Sequence, residues 1–214
     1  MDIKKKRVMS YFIEAAEKIL REDGIEGLSI RKIAAEAGYN SATLYNYFED
    51  LEHLVLFASV RYLKSYIARL EHEVDDRSMN ELEQYRKVYE IFSECCFDNP
   101  EIFHNMFFGK YRGKLGEVIS QYYTIYPSDL GSPPGMIRDM LMQGDIYKRD
   151  MAFFPTLVSQ GLVSIDKVNE TKNLIIRTHQ SFLYDALQHT DSLSKQERVD
   201  AFMHLFDYIL RMAR

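Results

Sequence analysis

The chain is poor in cysteine. Its 214 residues hold two, Cys95 and Cys96, and they are neighbours. Adjacent cysteines do not close an ordinary structural disulfide with each other, so no secreted cystine scaffold is expected and the cell interior is the expected compartment. A redox or metal-sensing role for the pair is the alternative, with Glu94 beside it and His104 further on. Against it, there is no second cysteine pair and the spacing fits no standard zinc pattern. Long apolar runs are also missing. Nothing approaches the roughly 20 residues needed to cross a bilayer, and the N-terminus leads straight into a polar, charged helix, so neither a membrane span nor a signal peptide is expected. Positive charge is not in excess: net charge is −5, and nothing global advertises nucleic-acid binding. Enzyme signatures are absent as well. There is no phosphate-cradling glycine loop, no His-Glu-x-x-His and no Gly-x-Ser-x-Gly, and neither catalysis nor a cofactor or bound metal is expected. The expected location is cytoplasmic.

What is present is helical periodicity. Residues 5–23 place Val8, Phe12, Ala15, Ala16, Ile19 and Leu20 on one face, and Gly24 stands where that helix would stop in a left-handed conformation. Ser29 is an N-cap for a second helix with Ile33, Ala34 and Ala37 inward, ended by Gly38. Asn40 caps a third helix over residues 41–47, anchored by Leu44 and by Phe48 just past its end. Asp50 caps a long fourth helix running to about residue 74. Asp75-Asp76-Arg77 breaks the pattern, Ser78 with Glu81 reads as a capping box opening a fifth helix to about residue 97, and Asn99-Pro100 starts a sixth. Residues 127–135 are the clearest loop. Further helices are expected near 136–143, 147–161, 166–189 and 194–213. In the last, Ser194 and Glu197 form a capping box, and Val199, Phe202, Met203, Phe206, Ile209, Leu210 and Ala213 repeat at helical spacing. No stretch alternates like a strand. The expected class is all-α, with about nine helices.

Residues 27–48 form two short helices around a tight turn, the second small and polar where it starts and aromatic where it ends. In a helix-turn-helix the second helix lies in the major groove, its N-terminal residues facing base edges. Leu44 then faces the core, and Ser41, Ala42, Thr43, Tyr45 and Asn46 are left for DNA. Ala42 and the Thr43 methyl can pack on a thymine methyl. Tyr45 and Tyr47 can donate phenol hydrogen bonds to phosphate, and Arg31 and Lys32 add charge at the backbone. Lys4, Lys5, Lys6 and Arg7 are either a basic arm reaching phosphates or a solvated terminus. Residues 1–48 carry eight Lys/Arg against seven Asp/Glu, a balance of +1, while the remainder carries 19 against 25. The alternative reading of the segment is ordinary packing, because two short helices around a glycine occur in many all-α folds and the aromatic run can be core.

Ala15-Ala16, Gly24, Gly27-Leu28-Ser29, Ile33-Ala34, Ala37-Gly38, the run from Thr43 to Phe48, and Leu54 together resemble the N-terminal domain of the tetracycline-repressor (TetR) family of bacterial transcription regulators. The likeness covers residues 8–57. It implies a three-helix DNA-binding domain with a helix-turn-helix at residues 1–50, and a larger helical ligand-binding and dimerisation domain at 51–214. It implies a homodimer on a palindromic, double-stranded operator, most simply a repressor, released by a small apolar or aromatic effector. Dimers of such proteins pair through their last two long helices, which makes Phe182, Ala186, Phe202, Phe206 and Ile209 the candidate interface; the other reading is that the same residues face the chain's own core. Aromatics and methionines crowd between residues 103 and 154. Phe103, Met106, Phe107, Tyr111, Tyr122, Met140, Phe153 and Phe154, with His179, are the candidate ligand-binding set, and His104 is a further polar candidate. The fourth helix is the expected lever.

One departure stands out. Where the family usually carries a phosphate-contacting lysine three residues after the closing Phe, this chain has Leu51, flanked by Glu49, Asp50 and Glu52. The expectation is weaker, less salt-sensitive operator binding, with Leu51→Lys steepening the log-affinity against log-salt slope by about one unit. The same departure supports an alternative, a helical binding or scaffold protein with a weakened DNA-reading head.

Overall fold

The computed structural model describes residues 1–74, 78–133 and 135–214. The expected break at Asp75-Asp76-Arg77, and Pro134 of the expected loop, lie outside the described residues. Asp2 starts the first helix, α1 (Ile3–Asp23), by accepting the Lys5 N–H at 2.8 Å. Its buried face includes Met9, Phe12, Ile13, Ala16 and Leu20. Gly24 ends it with φ +71° but ψ −174°, a glycine-only region rather than the left-handed helical one expected. Ser29 caps α2 (Ile30–Ala37) through the Lys32 N–H, and Gly38 closes it at φ +76°, ψ +25°. Asn40 caps α3 (Ser41–Leu44), which is regular for one turn only; residues 45–47 continue as turn. Leu44 is fully buried and Phe48 nearly so. Phe48 packs edge-on against Phe12 and Phe57 at centroid distances of 6.2 and 5.4 Å, so the closing aromatic pins the turn to α1 and to the next helix. Burying such a side chain stabilises the fold by roughly 1.5–3 kcal/mol.

The expected long fourth helix is divided. Asp50 caps α4 (Leu51–Val60), residues 61–62 form a tightened turn, and α5 (Leu63–Glu73) follows. Two local causes coincide. The buried Ser59 hydroxyl bonds back to the Val55 carbonyl at 2.8 Å, which bends helices, and Arg61 is drawn across to Glu17 on α1 at 2.9 Å. The next helix, α6 (Glu81–Asp98), opens with a capping box formed by Asn80 and Glu83, not by Ser78 and Glu81. Both pairs have the required spacing, but the Glu81 carboxylate instead accepts from the Gln160 side-chain amide at 2.6 Å. Pro100 begins α7 (Pro100–Phe108) as expected.

A helix not named from the sequence, α8 (Leu115–Ile125), follows. The expected loop holds a 3-10 turn at Pro127–Leu130 and runs into α9 (Gly135–Met142). The expected helix near 147–161 is two pieces, α10 (Ile146–Asp150) and α11 (Phe154–Ser159). The last two, α12 (Val168–Gln188) and α13 (Lys195–Met212), are long, and Ser194 and Glu197 form the expected capping box. Thirteen α-helices and no strand therefore occur among the described residues, more than expected because breaks set by distant contacts leave no local signal. The first three helices pack through α1 on α4; α4 also contacts α7 and α8; and α6, α12 and α13 form the centre of the remainder.

Candidate functional site

The turn at Gly38 sets α3 against α2, and Lys18 of α1 holds α2 from behind through Glu36 at 2.7 Å. Asn40 Oδ1 accepts both the Thr43 N–H, at 2.9 Å, and the Thr43 hydroxyl, at 3.0 Å. That fixes the first turn of α3 and uses the Thr43 proton locally. Ala42, Tyr45 and Asn46 are exposed, Tyr45 by 56%, while Ser41, Thr43 and Tyr47 are half-buried. Arg31 is exposed and makes no ion pair or hydrogen bond among the described residues, whereas Lys32 is held by Asp23. Lys4, Lys5 and Lys6 are not an arm. They sit in the first turns of α1 behind the Asp2 cap, so their reach is fixed by the helix.

The acidic run at the start of α4 is partly neutralised, three carboxylates sharing two lysines. Glu49 is paired with Lys114, and Asp50 and Glu52 meet Lys110 at 2.9 and 3.5 Å. Tyr111 donates to Asp50 at 2.8 Å and stacks on His53 at 5.2 Å. Desolvation pushes the Asp50 carboxyl up, but the His53 N–H, Lys110 and Tyr111 outweigh it and hold the group at about 2. Leu51 is half-buried and packed on the core. The acidic setting expected here is thereby reduced: the three carboxylates share two lysines, supplied from about sixty residues away. Tyr111 belongs to this clasp and not to a ligand pocket.

A second junction ties α1 to the rest. The Tyr122 hydroxyl donates to Asp129 Oδ2 at 3.0 Å and lies 3.4 Å from Glu17 Oε1. Lys64 pairs with Asp129 at 2.8 Å, and Tyr126 donates to the Ser10 carbonyl at 3.2 Å. Burial raises the Glu17 carboxyl to about 7 despite the Arg61 guanidinium beside it. Tyr122, like Tyr111, is a structural link between α1, α4 and α8 and not a pocket wall.

A small cavity of about 30 Å³ lies between α6 and the short α9–α11 segment, with Tyr66, Tyr89, Phe92, Met140, Arg149, Asp150 and Phe153 among its walls. Asp150 is fully buried. Its Oδ1 accepts the hydroxyls of Tyr85 and Tyr89 at 2.6 and 2.8 Å, its Oδ2 has no partner among the described residues, and burial raises the carboxyl to about 7. Behind Phe92, His179 is stacked at 5.0 Å, with Phe97 at 5.4 Å on it as well. Both His179 nitrogens lack partners, and burial lowers the ring to about 3, so it is neutral at pH 7. Of the candidate ligand set, Met140 and Phe153 line the cavity. Phe103 and Phe107 back its Phe92 wall, and Phe154 backs Tyr85. Met106 is buried elsewhere in the core, and His104 sits against Phe108 and Tyr184. The sequence reading missed Tyr85, Tyr89, Arg149 and Asp150; two tyrosines one helical turn apart were the available signal. A larger open cleft of about 870 Å³ runs between α1, the α4–α5 turn, α7 and the end of α12, but the buried unpartnered groups are not on its walls. Cys95 and Cys96 are buried free thiols, pushed up by burial, and no cluster of three metal-ligating side chains occurs among the described residues.

Residues 12–56 match the model of the bacterial regulatory proteins of the tetR family. An HTH-type transcriptional regulator from a bovine Staphylococcus aureus strain is 26% identical over 136 residues, 61% of this chain and 73% of the relative. One from Staphylococcus aureus strain USA300 is 28% identical over 135 residues, with the same coverage. The helix-turn-helix segment is thus the part of the chain that matches the tetR family. The fold agrees: Bacillus subtilis FadR, a transcriptional regulator solved in complex with stearoyl-CoA, superposes at a TM-score of 0.57 with 15% identity, covering 92% of this chain and 96% of FadR. RolR, solved without ligand, gives 0.56 with 16% identity over 95% of each chain. Residues 12–56 thus match a tetR-type DNA-binding helix-turn-helix, and the chain is similar to HTH-type transcriptional regulators.

The last two helices of the chain carry two apolar stripes each. Phe202 and Phe206 are fully buried, packed on Tyr89, and Ala186 is buried too; these three are core and cannot form a dimer surface. Phe182 and Ile209 are half-buried. The outward stripe is Leu174 and Tyr184 on α12 and Leu205, Tyr208 and Met212 on α13. Helical spacing finds both stripes and does not say which one faces out. No described helix is long and apolar enough to cross a membrane.

Proposed function

We propose that the chain is a ligand-responsive repressor that binds a palindromic operator as a homodimer, in the cytoplasm. The observation that carries this is the outer face of α3: Ala42, Tyr45 and Asn46 are exposed beside a capped, glycine-set turn, the arrangement a major groove accepts. Ser41, Thr43 and Tyr47 flank that face, and Arg31 supplies an uncommitted charge for phosphate. The partial neutralisation of the α4 start weakens the support for the weakened-head alternative. The outward stripe on α12 and α13 is the proposed dimer surface.

Release by an effector has a physical route. A guest in the cavity displaces α10, whose preceding loop abuts the start of α8 at Gly144 and Gly116. α8 in turn grips α1 through Tyr122 and Tyr126. The effector then stabilises the conformer whose reading heads are out of register. The complex of the similar FadR with stearoyl-CoA supports a ligand site in this fold. A gel-shift assay with DNA from upstream of the chain's own gene tests the reading. A shift abolished by Asn46→Ala and Tyr45→Ala together is expected; no sequence-specific shift overturns it.

A further inference from the structure

Among the described residues, Asp150 is a fully buried acid with no ion-pair partner. Protonated or ionised, its Oδ2 needs a partner, and leaving it buried without one is costly. Arg149, its chain neighbour on the same cavity, does not serve. The guanidinium donates to the Gln143 and Leu141 carbonyls at 2.6 and 2.9 Å and lies over the Phe107 ring, and no ion pair joins it to Asp150 among the described residues. Tyr85 and Tyr89 occupy Oδ1 only. The cavity that Asp150 lines is otherwise mainly aromatic and aliphatic, with Tyr66, Tyr89, Phe92 and Phe153 beside Val88, Met140 and Ile146. A carboxylate oxygen without a donor, on a cavity with several aromatic walls, is complementary to an ammonium group.

We propose that the effector carries a protonated amine on a compact aromatic body, with the amine on Asp150 and the ring among Phe92, Phe153 and Met140. This deepens, and rests on, the reading of the chain as an effector-released regulator. The present cavity holds about one water molecule's volume, so the amine binds an opened conformer. The wall that opens is the α9–α11 segment, built of helices of eight, five and six residues and lined by the flexible Met140. An amine donates to Oδ2, keeps Asp150 ionised and holds that wall apart. Above about pH 7, where Asp150 is ionised, a carboxylate or acyl thioester brings an acceptor to an oxygen that needs a donor.

The test uses the full-length protein with phenethylamine, phenylacetate, 2-phenylethanol and stearoyl-CoA. Thermal shift reads binding, and a preformed operator complex reads release. Phenethylamine is expected to raise the melting temperature by about 2 °C or more at saturation and to dissociate the operator complex, with the carboxylate inactive. Asp150→Asn, isosteric and checked for operator binding, is expected to lose the amine response. Phe153→Leu is expected to weaken it by about three- to tenfold. Equal response to phenylacetate, response to stearoyl-CoA alone, no response to the amine, or an unchanged response in Asp150→Asn overturns the proposal. Amine binding that leaves the operator complex intact keeps the site and overturns the release reading instead.

Discussion

Gly144 and Gly116 touch backbone to backbone: a Cβ on Gly144 would fall well inside contact distance of the Gly116 nitrogen and Cα, and one on Gly116 would lie 3.4 Å from Gly144. This contact joins the loop before Asp150 to the start of α8. Gly144→Ala must push the two apart. It is expected to cost about 1–3 kcal/mol in urea unfolding and to weaken the effect of the effector on operator affinity. Gly113→Ala, where a Cβ meets nothing within 4 Å, is the control and is expected to stay within about 0.5 kcal/mol. Equal unfolding midpoints for the two variants would remove the contact from the account.

Asn40 caps the reading helix alone, and its Oδ1 takes both Thr43 donors. Asn40→Ala is expected to destabilise the fold by about 1 kcal/mol. Because α3 is one turn long, operator affinity is expected to fall more steeply than stability. Anisotropy titrations beside melting curves check this, and an unchanged affinity goes against it.

Arg31 and Lys32 are adjacent on α2 and differ in commitment, since Lys32 is held by Asp23. Arg31→Ala is expected to flatten the log-affinity against log-salt slope by about one unit, and Lys32→Ala by less. Equal changes would mean that the Asp23 pair does not persist on DNA. Lys110→Met with Lys114→Met uncovers Glu49, Asp50 and Glu52, and is expected to weaken operator binding in the manner first expected of the acidic run itself.

The folded Asp150 carboxyl keeps its proton up to about pH 7, whereas the unfolded one releases it near 4. Between those values the folded chain holds the extra proton, so its stability is fullest at low pH and falls as pH rises. Tyr85 and Tyr89 on α6 and Lys172 on α12 face the group and oppose the shift only partly. Asp150→Asn lacks this dependence. Its melting temperature relative to the parent is expected to climb from pH 5 to pH 8, and parallel curves would show that Asp150 is ionised in the fold.

The two stripes of α13 separate stability from assembly. Phe206→Ala, in the core, is expected to cost about 3–5 kcal/mol. Leu205→Glu, on the outer stripe, is expected to leave the monomer folded and convert dimer to monomer in sedimentation. A dimeric Leu205→Glu places the interface elsewhere.

Much of the reading head was legible in the chain itself. Ser29, Gly38 and Asn40 are local devices: a cap needs an oxygen beside its own helix start, and a left-handed residue favours glycine, so three short elements follow from residues within a few positions of one another. The all-α class follows likewise from periodicity. The break at residues 61–62 was not legible, because Arg61 answers to Glu17, 44 residues earlier. Nor was the partial neutralisation of the Glu49–Glu52 run, since Lys110 and Lys114 lie about sixty residues on. Phe202 and Phe206 against Leu205 and Tyr208 is the same case: periodicity places two stripes on one helix, and only packing on α6 decides which is core. The sequence by itself determined a helix-turn-helix regulator. The tertiary structure alone decided where its charges are spent and that Asp150 Oδ2 is left without a partner among the described residues, because burial and long-range pairing are set by residues that meet only when the chain has folded.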